Sequence, residues 1–313
     1  MIRFLLLRTA WTIPILLGVT VVVFITVQLV PGDAVDALLG SNATEAAREA
    51  LRARLGLDRS LFEQYFFWLG HAATGDLGTS VAHQAPALDI VASAFRNTLI
   101  LAGAAAVIAV VLGLLLGAAA GFSKSRAVKA IVDSIGLLFV SMPAYTFGII
   151  LIVYLAVAMA LFPASGMARE GATVLDQLRY LFLPALTAAI VPAGLIARVF
   201  RTSIEDLRAQ EFIEAYRARG VARWKISLHV MHNAVPTMLT VAGLQIGYLL
   251  SGVVFVETVF AWPGLGQLVY QSIAKRDLAV IQAGVLISAF AFVLINLLVD
   301  VLRAVVDPRI RSS

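Results

Sequence analysis

The stretch Asn97–Phe122, NTLILAGAAAVIAVVLGLLLGAAAGF, contains no charged residue and decides the fold class. A helix needs about 20 apolar residues to cross the hydrocarbon core of a bilayer. Buried helices of soluble proteins usually run about 8–20 residues and keep a polar face. Because this stretch is longer and uniformly apolar, we predict a transmembrane helix here.

Five further stretches have a similar composition. They are Thr9–Pro31, Ser134–Ala168, Tyr180–Ala197, Asn233–Val256 and Leu278–Val299. Pro143 and Pro192 lie inside two of these stretches, and each removes a backbone hydrogen bond, so we expect a kink or a re-entrant bend there. The apolar run from Thr9 is too long for a signal peptide and is expected to be a retained first helix. The sequence thus predicts an all-α membrane protein with six transmembrane helices.

The composition of the whole chain agrees with this class. Of 313 residues, 60% are hydrophobic and only 14% are charged, whereas a soluble domain has about 25% charged residues. The net charge of +5 is no sign of a nucleic-acid partner, because the basic residues flank the apolar stretches. There is no cysteine, which excludes a disulfide framework, a cysteine zinc site and a thiol nucleophile.

The positions of lysine and arginine predict the orientation, because positively charged segments resist translocation. With the N-terminus in the cytosol, 15 of the 24 basic residues are cytoplasmic, namely Arg3, Arg8, Lys124, Arg126, Lys129, Arg198, Arg201, Arg208, Arg217, Arg219, Arg223, Lys225, Arg303, Arg309 and Arg311. The prediction is therefore that both termini are cytoplasmic (N-in, C-in).

This topology divides the chain into four parts. They are an N-terminal tail with the first helix (1–31), an extracytoplasmic insertion (32–96), a transmembrane core (97–302) and a cytoplasmic tail (303–313). Ala46–Leu55 and Leu61–Leu69 in the insertion are helix-like, and the second follows an N-cap region ending at Ser60. A long cytoplasmic loop at 198–232 interrupts the core. Ser203 and Asp206 in this loop have the spacing of a capping pair, which predicts a helix start.

Motifs for catalysis are missing from the chain. No Gly-Lys-Ser/Thr phosphate loop, His-Glu-x-x-His or Gly-x-Ser-x-Gly is present, so we expect no ATP site and no enzyme activity in this chain. His229 and His232 could share a helix face as metal ligands, but no third ligand lies nearby, and interfacial histidines are the favoured interpretation. No metal or cofactor is therefore expected.

Ionisable residues are almost absent from the predicted spans. Asp133, Glu257 and Asp300 lie near span ends, where structural pairing is the favoured interpretation over a proton relay. A secondary transporter usually has an ion or proton site at mid-depth. No such site is visible in this sequence, which makes an ion-coupled carrier or channel the weaker alternative.

Three glycines recur at intervals of four in the second span. Gly113, Gly117 and Gly121 form a smooth stripe on one helix face, which lets another backbone approach closely. Two interpretations stay open: an interface with another subunit or a gating helix, and ordinary packing within this chain.

The third cytoplasmic segment is the most informative. Glu211–Gly220 has the pattern of a short amphipathic helix stopped by glycine, and a second element starts near Val221. Such a helix can lie on the lipid surface or dock in the groove of a partner protein. The residues alone slightly favour the lipid surface and leave both possibilities open.

This segment resembles a known motif. Glu214-Ala215-Tyr216-Arg217-Ala218-Arg219-Gly220 is similar to the Glu-Ala-Ala-x-x-x-Gly motif of ABC-importer permeases, in particular the dipeptide/oligopeptide/nickel branch. Stretches that resemble the same branch occur along the chain at residues 29–33, 55–58, 75–78, 162–166, 183–186, 260–266, 296–300 and 307–311. The chain departs from the general pattern at Tyr216 and in a longer distance from Gly220 to Pro236.

The resemblance implies a type I ABC importer permease fold and a division of labour. A second homologous permease would complete the translocation path, two cytosolic ATPase subunits would bind ATP and Mg, and an extracytoplasmic solute-binding protein would deliver the solute. The coupling residues would lie around Ser203–Gly220, namely Ser203, Glu211, Glu214, Ala215, Arg217 and Gly220. The expected cargo is di- or oligopeptides, with chelated nickel, glutathione or another small solute as alternatives. The expected location is the bacterial inner membrane.

Overall fold

A computed structural model describes residues 2–28, 44–55 and 58–306 of the chain. Every regular element among them is a helix: α1 (Ile2–Gln28), α2 (Glu45–Leu55), α3 (Leu61–Ala73), α4 (Ala87–Phe122), α5 (Arg126–Ser141), α6 (Ala144–Leu151), α7 (Val174–Arg208), α8 (Glu211–Ala218), α9 (Arg223–Val259), α10 (Leu265–Lys275) and α11 (Leu278–Val306). The predicted all-helical class is confirmed for these residues. The motif at 29–33, half of that at 55–58 and the tail from 307 lie outside them.

The described chain forms two compact units. One contains Thr98–Pro263 together with the segment from Ile295, and the other contains Ile2–Asn97 together with Gly264–Leu294. Each unit has its own cluster of buried apolar side chains. The segment predicted to couple to a partner lies in the first unit.

Helix α7 is the central element of the first unit. It packs against α5, α6 and α9, and residues along its apolar part, from Leu183 to Ala197, are largely buried. A membrane helix surrounded by other helices on several sides packs best with small side chains. The alanines and the glycine between Ala185 and Ala197 in α7 fit that requirement.

The stretch predicted as one long span at Ser134–Ala168 is two helices. Helices α5 and α6 meet at a bend of 107°, and α6 continues as a π-helical segment over Ile152–Ala158. Met142 is extended, with ψ of 130°, because the residue before a proline avoids helical geometry. The predicted bend at Pro143 is confirmed.

The other intramembrane proline has no such effect. Pro192 is buried inside α7, which continues through it without a break. A proline costs one backbone hydrogen bond, and neighbouring helices can hold a helix straight around that loss. Gly194, half a turn further on, approaches the backbone of Gly136 in α5. The re-entrant bend expected as one possibility at Pro192 is therefore wrong, and a kink there stays a prediction.

Helices α2 and α3 confirm the two helices predicted in the insertion. Ser60 caps α3: its hydroxyl oxygen accepts the Glu63 N–H at 3.4 Å, and its own N–H donates to Glu63 Oε2 at 3.0 Å. Hydrogen bonds from the Ser60 hydroxyl and backbone hold the pKa of Glu63 below its ordinary value. The N-cap predicted at Ser60 is therefore confirmed, and with Glu63 it forms a capping box.

Several helices have the length and composition of membrane spans. Three qualify singly, namely Ala87–Phe122, Val174–Arg208 and Leu278–Val299. Two bent pairs qualify when each pair is taken together, namely Arg126–Ser141 with Ala144–Ala158 and Arg223–Leu249 with Gly252–Val259. One shorter helix, Thr12–Gln28, is also apolar.

Candidate functional site

Helix α8 divides cleanly into a buried and an exposed face. Ile213 is fully buried, and Phe212 and Tyr216 are half-buried against the core of the first unit. On the opposite face Glu211, Glu214, Ala215 and Arg217 are exposed. This face presents two carboxylates beside small side chains.

The carboxylates of this face are available to a partner. Neither Glu211 nor Glu214 has a hydrogen bond or ion pair with any residue in the described ranges. A free carboxylate on a helix surface can accept a charge-assisted hydrogen bond from an arginine or lysine of a docking protein. The arrangement suits protein docking better than contact with lipid, because two exposed carboxylates gain no favourable interaction from the apolar part of a bilayer.

The end of α8 is a glycine-dependent turn. Gly220 has φ of +69°, its N–H donates to Arg217 O at 3.0 Å, and the Val221 N–H donates to Tyr216 O at 3.0 Å. These two bonds define a Schellman motif, in which the residue after the C-cap is left-handed. A Cβ on Gly220 would meet no atom within 4 Å, so the position requires glycine for its backbone angle.

Ser203 lies apart from the exposed face of α8. It is half-buried within α7, which runs on to Arg208. The helix start predicted from Ser203 and Asp206 is therefore wrong, because the residues before Ser203 are already helical and leave no unpaired N–H groups to cap. The break between helices comes later, at Ala209 and Gln210.

Charged side chains fasten the end of α7 to α5. Lys129 Nζ lies 2.5 Å from Glu205 Oε1, and Arg201 forms an ion pair with Asp133 and lies 3.4 Å from Glu205. The pairing expected for Asp133 is thus present. Exposed ion pairs contribute only about 0–1 kcal/mol each, so the network fixes geometry more than it adds stability.

The end of α7 is also joined to α4. The Arg208 guanidinium donates to Gly121 O at 2.6 Å and lies 5.8 Å from the centre of the Phe122 ring. Because α8 follows after only two residues, this contact leaves it little freedom to move independently of α4 and α7.

The three glycines of α4 lie against α7 in the same chain. A Cβ on Gly113 would be 2.6 Å from Ile196 Cγ2, one on Gly117 would be 2.7 Å from Ala197 O, and one on Gly121 would be 2.9 Å from Ile204 Cβ. Both helices advance in the same direction along this contact, so α4 and α7 are parallel. We call this contact the glycine ladder.

A cavity of about 530 Å³ opens where α5 and α6 bend. Its lining is mainly apolar and includes Met142, Pro143, Tyr145 and Tyr248. Both tyrosines are about half exposed, at 47% and 56%. The sequence analysis assigned no residue to the lining of this cavity. The nearest signal was the bend expected at Pro143, which is one of the lining residues.

Two other residues singled out in the sequence, Glu257 and His229, contact neighbouring side chains. Glu257 is fully buried, and Thr98 Oγ1 donates to its Oε1 at 2.6 Å. The His229 ring lies 5.4 Å from the Tyr216 ring. No cluster of three metal-ligating side chains occurs within the described ranges. The side chain of Asp300 lies outside what the structure describes.

Comparison with known proteins covers the whole chain. The family described as binding-protein-dependent transport system inner membrane component matches residues 109–312, and the corresponding N-terminal family of transport system membrane components matches residues 1–102. The glutathione transport system permease protein GsiC of Escherichia coli K12 is 36% identical over 312 residues, covering 99% of both chains. GsiC of Salmonella choleraesuis is also 36% identical, with the same coverage.

One solved structure supports the fold. A chain from the inward-facing methionine ABC transporter MetNI superimposes with a TM-score of 0.55 and 21% identity, covering 70% of this chain and 96% of that chain.

Proposed function

Because the chain belongs to the family of binding-protein-dependent transport system inner membrane components, we propose that it forms half of a path that imports small peptides. The chain is a permease subunit of an ABC importer in the bacterial inner membrane, and its fold is that of a type I importer permease. In this family ATP hydrolysis is performed by separate ATPase subunits. A second homologous permease would supply the other half of the path.

The proposed cargo is a short peptide of two or more residues. The relatives named for glutathione transport support this class, because glutathione is itself a tripeptide. Chelated nickel remains the alternative cargo. We place the choice among these solutes in the external binding protein, and the apolar cavity beside Tyr145 and Tyr248 is a candidate section of the path.

The exposed carboxylate face of α8 is the observation that carries the coupling proposal. The ATPase would bind Glu211, Glu214 and Ala215, and the turn at Gly220 would let the chain return to the membrane in α9. Movement of the docked ATPase would then be transmitted through α7, because Arg208 and Glu205 connect its end to α4 and α5. Ser203 would act within this connection and not at the docking surface.

Six spans with both termini in the cytosol agree with the glycine ladder. Parallel α4 and α7 require an odd number of membrane crossings between them. A bent α5–α6 that crosses the membrane once satisfies this requirement, whereas a re-entrant loop would make α4 and α7 antiparallel. This supports counting α5–α6 as a single span, which brings the total to six with α1, α4, α7, α9 and α11.

The insertion at 32–96 is the proposed receiver for the binding protein. One of its loops is held by Asp277, whose Oδ2 accepts hydrogen bonds from Ser80 Oγ at 2.5 Å and from the Ala82 N–H at 3.2 Å. Ser80 and Asp277 are both buried. Such a fixed loop presents a preformed surface, which lowers the entropic cost of docking.

Transport by the reconstituted complex tests this function. The chain, its partner permease and the cognate ATPases are incorporated into vesicles, and uptake of a radiolabelled di- or tripeptide is measured with the binding protein and ATP. We expect uptake that requires ATP hydrolysis and is competed by unlabelled peptide. Uptake by this chain alone, or at an equal rate without ATP, would contradict the proposal. Competition by nickel chelates but not by peptides would reassign the cargo.

A further inference from the structure

Helix α3 carries an aromatic face that is exposed. Phe62 and Phe66 are 72% and 52% exposed, and their rings form an edge-to-face pair with centroids 4.7 Å apart. Residues four apart lie on the same side of a helix, so the two rings form one patch. Large aromatic side chains in this position are costly to leave in water.

Other residues of α3 pack against α1. The hydroxyls of Tyr65 and Thr20 are 2.7 Å apart, Gln28 Nε2 donates to Gln64 Oε1 at 3.0 Å, and the Phe24 ring lies 5.5 Å from that of Tyr65. These contacts span eight residues of α1, which correspond to about 12 Å along its axis. Helix α3 therefore lies beside the last two turns of α1.

The surface of α1 at this level is itself apolar. Val21, Val22 and Ile25 are exposed there, as expected for a membrane helix that faces lipid. The aromatic patch of α3 is thus at the same depth as a lipid-facing surface. Aromatic side chains are enriched at this level, where the hydrocarbon meets the headgroups.

The rest of the surface of α3 carries polar groups. His71 is exposed on the side opposite to the aromatic patch, and Glu63 is exposed at its flank. The guanidinium of Arg59, which precedes α3, lies 5.0 Å from the centre of the Phe67 ring. One helix thus has a face on α1, an aromatic face and a polar face. This is the pattern of a helix that lies in the membrane interface.

We infer that α3 is an interfacial helix whose Phe62–Phe66 face inserts into the phospholipid leaflet at the C-terminal end of α1. Lipid is the occupant that the contacts favour, because the aromatic patch continues the exposed apolar surface of a membrane helix. The inference rests on the proposed function only in assigning that leaflet to the outside of the cell. Its role would be to fix the insertion at a set height above the membrane.

Spin labels on a chain without cysteines test this contact. Phe62→Cys, Phe66→Cys and, as the control on the polar face, His71→Cys are labelled with a nitroxide in the complete complex, in phosphatidylcholine–phosphatidylglycerol vesicles. Collision rates are measured with oxygen, which concentrates in lipid, and with a water-soluble nickel chelate. The unsubstituted complex gives the background from partner subunits.

We expect the oxygen-to-nickel collision ratio to be several-fold higher at positions 62 and 66 than at 71. Exclusion of both reagents at 62 and 66 would show that protein covers the patch, and preferential collision with nickel would place it in water; either result overturns the inference. If a cysteine substitution prevents assembly, Phe66→Trp replaces it: fluorescence quenching by brominated lipid beyond that of the unsubstituted complex reports the same contact, and no added quenching counts against lipid. Failure of ATP-dependent uptake would contradict the proposed function but leave these ratios unchanged.

Discussion

At the scale of single residues, Gly220 is the position where backbone conformation matters most. Its φ of +69° disfavours any side chain, so Gly220→Ala should destabilise the end of α8 by about 1–2 kcal/mol. We expect the amides of α8 to exchange with deuterium roughly 5- to 30-fold faster. Hydrogen-exchange mass spectrometry of the purified complex measures this change.

Another glycine with a positive φ provides the matched control. Gly171 has φ of +82° and, like Gly220, would meet no atom with an added Cβ, but it lies in the loop before α7. Gly171→Ala should therefore leave exchange in α8 unchanged. Gly220→Asn should have a smaller effect than Gly220→Ala, since asparagine tolerates the left-handed region. Equal exchange in α8 for wild type and Gly220→Ala would refute the assignment.

Glu214 is the residue for which a charge effect is expected. Glu214→Gln keeps the shape of the side chain but removes the charge, so a charge-assisted hydrogen bond to the ATPase would weaken by about 1–2 kcal/mol. We expect the dissociation constant of the ATPase from the permease pair to rise roughly 5- to 30-fold. Glu170→Gln, which neutralises an exposed carboxylate in the loop before α7, is the control. A loss of affinity that is equal in both variants would mean a general charge effect.

At the scale of helices, the glycine ladder predicts a strong dependence on side-chain size. A Cβ on Gly117 would collide with the backbone oxygen of Ala197 at 2.7 Å, whereas Gly103 on the same helix has no atom within 4 Å. Gly117→Ala should thus destabilise the chain by about 1–3 kcal/mol, and Gly103→Ala should not. Thermal unfolding in detergent compares them, and equal melting temperatures would disprove close packing at this contact.

Helix ends show how far local sequence predicts an element. Ser60 and Ser203 both head a capping pattern, yet only Ser60 begins a helix, because Ser60 has an extended backbone whereas Ser203 lies inside a helix that has already begun. Pro143 and Pro192 both interrupt apolar stretches, yet only Pro143 breaks the helix. The difference is tertiary, since Pro192 is buried among neighbouring helices. A local pattern states what a residue can do, and packing decides whether it does so.

At the scale of the whole molecule, the sequence predicted helix α8 better than the contacts that support it. The pattern of α8 and its final glycine were visible as a local motif, because all the residues concerned lie within one short segment. The contacts that hold α7 join Lys129 to Glu205 and Arg208 to Gly121, which are 76 and 87 residues apart. Such distant pairs follow from the arrangement of helices and have no local signature.

The membrane crossing between α4 and α7 gives the sharpest test of the whole topology. Lys124 precedes α5 and Glu170 follows α6, and both are exposed. Since the chain has no cysteine, Lys124→Cys and Glu170→Cys each report one site.

A membrane-impermeant maleimide is applied to cells whose outer membrane has been permeabilised and to inverted vesicles of the inner membrane. In the cells we expect the reagent to label position 170 but not 124. In the inverted vesicles we expect it to label 124 but not 170. His83→Cys should behave like position 170, and Arg219→Cys like position 124. Labelling of positions 124 and 170 from the same side would make α5–α6 a re-entrant loop. Such a loop is incompatible with the parallel arrangement of α4 and α7 in the glycine ladder. The prediction of six spans with both termini in the cytosol would then be wrong.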